Sequence, residues 1–75
     1  MKIVIEKPFP RAEEIKKYYE DQNKLTSPFF FIPLDHTFKE LTTWFKGTNY
    51  IVGRGAHHIW LKHKNNIDER LMIIT

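Results

Sequence analysis

Apolar and polar residues alternate over residues 57–64, His57-His58-Ile59-Trp60-Leu61-Lys62-His63-Lys64, which predicts a strand. Side chains along a strand point to opposite faces in turn, so Ile59 and Leu61 share one face with His57 and His63. His58, Trp60, Lys62 and Lys64 share the other. The first face reads as core, and the second sets one indole among cations and an imidazole. Upstream, Tyr50-Ile51-Val52 reads as a strand entering Gly53-Arg54-Gly55, a tight turn or bulge. Downstream, residues 65–68 are turn-like and residues 69–74 form a third strand. Pairing Leu61 with Leu71 and Ile59 with Ile73 sets Lys62 beside Arg70 and Trp60 beside Met72. At the other end of the chain, residues 2–6 alternate as a short strand that Pro8 and Pro10 terminate.

Two stretches change period from two to about three and a half. Ala12, Ile15, Tyr18, Tyr19 and Gln22 recur at helical spacing, with Pro10 suited to the first turn and Glu13–Lys17 a favourable i, i+4 pair, so a helix is expected over 11–22. Residues 23–28 read as a turn-rich connector. Phe38, Leu41, Trp44 and Phe45 form the second stripe. Thr37 and Glu40 ahead of it have capping-box spacing, and Gly47 stands where a left-handed stop is wanted, which predicts a helix from about 38 to 46. Between the helices, Phe29-Phe30-Phe31-Ile32 is apolar without a period. It is either a short buried strand or a loop pinned by its aromatics, with core burial favoured over a protein-binding patch.

These elements predict an α+β fold: a small antiparallel sheet of three to four strands with two helices packed on one face and the other face open. At 75 residues the chain is expected to form one domain, 1–75, with one small core. Cysteine is absent, so disulfides and thiolate metal sites are excluded. No apolar run approaches the ~20 residues of a membrane-spanning helix, and the charged start does not resemble a secretory leader. The expected location is the cytoplasm, with no membrane partner.

The net charge of +3 says little alone, but its distribution matters. Residues 54–64 hold Arg54, Lys62, Lys64 and three histidines without a carboxylate. A surface of this kind suits an anionic partner with flat bases: ammonium groups meet phosphate, indole offers a stacking plane, and imidazole moves protons. The alternative is an ordinary edge strand protected by a solvated, lysine-bearing face. A metal centre is not expected. Adjacent His57 and His58 point apart in a strand, and His57 and His63 lie about 20 Å apart along it. No cofactor motif is present. Gly53-Arg54-Gly55-Ala56 shares little with the GXXG loop of KH domains, because the required following helix is replaced by an alternating segment.

Over residues 37–75, the order of capped helix, strand, Gly55-Ala56-His57-His58-Ile59-Trp60, then Lys62-His63 and an apolar strand beginning at Arg70 resembles the HicA-type mRNA interferases, toxins with a double-stranded-RNA-binding-like fold. The resemblance implies ribosome-independent RNA cleavage by one essential histidine, matching His58, and an antitoxin partner over the basic face. Ala56 stands where the family usually has a hydroxyl residue. The family's closing helix has no counterpart after the third strand, and the helix at 11–22 is expected to fill its place. The site residues expected on this reading are His58 for catalysis, with Arg54, His57, Trp60, Lys62, Lys64 and Arg70 for RNA. The other readings are a small non-enzymatic interaction protein that inhibits a host protein, of the sort phages use, and a non-catalytic nucleic-acid-binding regulator.

Overall fold

A computed structural model of the chain describes residues 2–25 and 33–75, with the side chains of 23–25 left aside. The elements run β1 (Ile3–Ile5), α1 (Ala12–Leu25), α2 (Leu34–Trp44), β2 (Tyr50–Arg54), β3 (Ile59–His63) and β4 (Asn66–Ile74). All strands are antiparallel, in the order β1-β4-β3-β2, so the first strand of the chain closes one edge against the last. The expected α+β fold is the one observed. The expected aromatic run Phe29–Ile32 lies outside the described residues.

The core lies between the sheet and the helices. Ile59 and Leu61 of β3 and Met72 and Ile74 of β4 are completely buried, as are Ile15 and Tyr19 of α1 and Leu41 of α2. Ile3, Ile5, Tyr50 and Val52 pack on the same cluster, so the alternation along each strand sorts one side into the core. Phe9, Phe45 and Tyr50 fill one corner with ring centroids 5.8–6.4 Å apart.

Helix α1 begins later and ends later than its sequence pattern suggests. Pro10 and Arg11 form a turn ahead of it: the Ala12 N–H donates to the Phe9 carbonyl at 3.1 Å, and Arg11 has φ +68°. A positive φ at the third position is the requirement of a type II turn, and proline is favoured at the second. The connector expected from residue 23 instead continues the helix to Leu25.

Helix α2 starts a full turn before the predicted cap. Pro33 is the N-cap residue in extended conformation, and the amides of His36 and Thr37 donate to its carbonyl. Leu34 lies one turn before Phe38 and extends the apolar stripe, so the earlier start gains burial. Thr37 therefore sits inside the helix, fully buried, and its hydroxyl has no hydrogen-bond partner among the described residues. The capping box does not form. Gly47, with φ +77°, does provide the stop, and the Thr48 amide and hydroxyl both donate to the Phe45 carbonyl.

The register of β3 on β4 also departs from simple alternation. Ile59 faces Ile74, Trp60 faces Ile73 and Leu61 faces Met72, one residue beyond the expected pairing, while Lys62 does face Arg70. A bulge at Leu71 absorbs the difference, because two residues of β4 there oppose one step of β3.

Candidate functional site

The helices leave the outer face of the sheet uncovered by any described residue, and two rows of side chains cross it. One row runs from Gly53 through Trp60 and Ile73 to Val4, and the other from Ile51 through Lys62 to Arg70 and Glu6. Where these rows meet the start of β3, an open depression is lined by Glu6, Lys7, His58, Trp60, Lys62, Asp68 and Arg70.

Two glycines position its rings. A Cβ on Gly53 would overlap the six-membered ring of Trp60, and a Cβ on Gly55 would overlap the imidazole of His58. Neither glycine has a positive φ, so their role is close approach and not backbone bending. Gly53 stands directly opposite Trp60 in the ladder, and its bare Cα is where the indole lies. The Gly55 amide donates to the His58 carbonyl at 2.8 Å and closes the β2–β3 hairpin, with Ala56 and His57 at its tip. On Trp60, the Lys62 ammonium sits 4.6 Å from the ring centroid.

The electrostatics are more balanced than the sequence suggests. The depression holds the cations of Lys7, Lys62 and Arg70 against the carboxylates of Glu6 and Asp68. Arg70 donates to both carboxylate oxygens of Glu6, through Nη2 at 3.0 Å and through Nε. That fork holds the Glu6 carboxyl below its ordinary range, and the carboxylate in turn raises the guanidinium. Lys7 is similarly raised by hydrogen bonding to Glu69, 2.8 Å away. Lys62 has no carboxylate partner among the described residues.

Of the residues expected to act together, the fold collects His58, Trp60, Lys62 and Arg70. It separates the other three. Arg54 alternates with Gly53, points to the helix side and is ion-paired with Asp35 at the start of α2. His57 is exposed at the hairpin tip. Lys64 lies in the turn after β3 and lines a different groove, beside α2 and β2. His63 lies edge-on to Tyr50, with ring centroids 5.2 Å apart, and its Nδ1 accepts from the Asn65 amide.

Glu6, Lys7 and Asp68 are additions that the sequence did not suggest. Asp68 had a visible signal, since extending the third strand to Asn66 puts Asp68 and Arg70 two residues apart. Glu6 had none, being 64 residues away from Arg70 in the chain. Among the described residues, no three His, Asp or Glu side chains gather as metal ligands. None of the helices described is long and apolar enough to cross a membrane.

Fold and site together define an α+β protein with helices on one side of an antiparallel sheet and an imidazole, an indole and a basic pair on the other. Comparison with family models, with curated proteins and with solved structures gives no match for the chain.

Proposed function

We propose that the outer sheet face binds RNA and that His58 makes it an endoribonuclease of the HicA kind, acting in the cytoplasm and restrained by a protein partner. The observation that supports this reading is the convergence of His58, Trp60, Lys62 and Arg70 on one open depression. In the proposed reaction the His58 imidazole accepts the proton of a ribose 2′-hydroxyl, and the freed oxygen attacks the neighbouring phosphorus. The bond to the 5′-oxygen breaks, leaving a cyclic phosphate and a 5′-hydroxyl that takes its proton from solvent. Lys62 and Arg70 offset the charge that builds on the phosphoryl oxygens. For Arg70 to do so, phosphate must displace the Glu6 carboxylate.

The test is expression of the natural chain beside His58→Ala, following growth and transcript integrity together, with the purified proteins checked for an unchanged fold. Cleavage that persists without the imidazole removes His58 from the chemistry. Affinity for RNA should also fall steeply as salt rises.

One observation favours a second reading, that of a non-enzymatic interaction protein. Val4, 39% exposed, joins Ile73 and Trp60 in an apolar row across the same face. Binding of a protein through that row would be insensitive to salt, which separates the two readings.

A further inference from the structure

The second edge of the sheet offers a different surface. No described strand lies beyond β2. The backbone bonds on either side of it fix which way its groups point: the Lys64 amide donates to the Asn49 carbonyl and the Gly55 amide to the His58 carbonyl, both at 2.8 Å. Hydrogen-bonded pairs alternate along an antiparallel ladder, so Ile51 and Gly53 turn their amides and carbonyls toward β3. Tyr50, Val52 and Arg54 turn theirs outward. The Tyr50 N–H is taken by the Thr48 hydroxyl at 3.2 Å, which leaves the amides of Val52 and Arg54 and three carbonyls along the edge without a partner among the described residues. Neither proline nor a lysine side chain within β2 blunts it.

Beside this edge runs an open groove of about 590 Å³, between the C-terminal half of α2 and β2. Thr42, Phe45, Tyr50 and Val52 give it an apolar wall, and its charged lining residues are Lys46 and Lys64, both exposed, with no carboxylate among the residues lining it. Both lysines lie at the Tyr50 end of the strand.

We infer that β2 and this groove bind an extended peptide that adds to the sheet antiparallel to β2, with a carboxylate at its C-terminal end held by Lys46 and Lys64. A set of outward amides and carbonyls matches the backbone of a polypeptide and not that of a nucleic acid, which carries acceptors alone at its phosphates. Antiparallel addition sets the peptide's C-terminal side beside Tyr50, where the lysines stand. Alternate side chains of the added strand then enter the groove against Phe45 and Val52.

Selection of a random library of peptides about eight residues long on the full chain tests this, followed by amide NMR with the best synthetic peptide. The expected peptides carry Asp, Glu or a free carboxyl terminus in their last third. They shift the amides of Val52 and Arg54 and protect them from exchange. Lys46→Glu combined with Lys64→Glu should weaken binding at least about tenfold. N-methylation of the peptide amides that face β2 should abolish binding, and methylation of the alternate amides should not. The inference is overturned by a selection that enriches nothing, by selected peptides without acidic preference, or by shifts confined to the outer sheet face. Protection of the Val52 and Arg54 amides in the free chain, or an RNA oligonucleotide that shifts them as the peptide does, would overturn it equally.

Discussion

The imidazole of His58 occupies the place where a side chain on Gly55 would begin. Gly55 and His58 also share the hydrogen bond that closes the hairpin, so backbone and ring are fixed to one another at two points. The orientation of the proposed proton acceptor thus depends on the absence of one carbon atom three residues earlier.

Gly55→Ala is therefore expected to move the ring and keep the fold. The backbone at Gly55 is outside the left-handed region, so alanine is tolerated there and stability should change by no more than about 1 kcal/mol. NMR should show the ring resonances of His58 displaced while those of His36 and His63 stay in place. If His58 cleaves RNA, the rate should fall toward that of His58→Ala even though the histidine is still present. Unchanged ring resonances would mean that the seat is not used in solution.

The pairing of Glu6 with Arg70 ties β1 to β4 beside the site, and it has a pH sign. Hydrogen bonding to Arg70 lowers the Glu6 carboxyl below its ordinary range, so the pair favours the fold above that range. The contribution is lost as pH falls through the lowered value. Titration of the Glu6 carboxyl by NMR should give a midpoint below the ordinary range of a glutamate, and Arg70→Gln should bring it back to that range. Glu6→Gln releases the guanidinium at every pH. On the RNA reading, it should raise affinity severalfold and steepen the dependence of log affinity on log salt by about one.

Much of this arrangement is legible in the residues. Ile59 and Leu61 announce the buried face of β3 by alternation, and the stripe Phe38, Leu41, Trp44 and Phe45 announces the helix over it, whereas β4 buries Met72 and Ile74 in place of the expected Leu71 and Ile73. The bulge at Leu71 is not legible, because apolar residues run unbroken from Leu71 to Ile74 and either register would bury some of them. Gly53 and Gly55 suggest a turn when taken alone. Their use as seats depends on which residues lie across the hairpin, and that is a property of pairing. Arg54 was misplaced for the same reason: with the strand taken to end at Val52, nothing assigns it a face, whereas a strand through Arg54 puts it with Val52 on the helix side.

Thr37 discriminates between the two starts of α2. Were it an N-cap, its loss would cost about 1 kcal/mol. Inside the helix, its buried hydroxyl lacks a partner among the described residues, and valine has nearly the same shape without that group. Thr37→Val is expected to stabilise the protein by roughly 0.5–1.5 kcal/mol, read as a higher urea midpoint at unchanged slope. A lower midpoint would restore the capping box.

Arg11 makes the corresponding case for the start of α1. Its guanidinium forks onto Glu14 at 3.0 and 3.1 Å and lies 4.7 Å from the Trp44 ring centroid, yet its backbone is left-handed. Arg11→Ala and Arg11→Gly both remove those exposed contacts, and the two variants differ only in how well they tolerate φ +68°. Glycine should be the more stable by about 1 kcal/mol, which in a protein of this size is about 4–8 °C in Tm. In a helix the order is reversed, alanine exceeding glycine by a similar amount. Thermal unfolding of the two variants side by side thus reports whether the chain turns at Arg11 before the helix begins at Ala12.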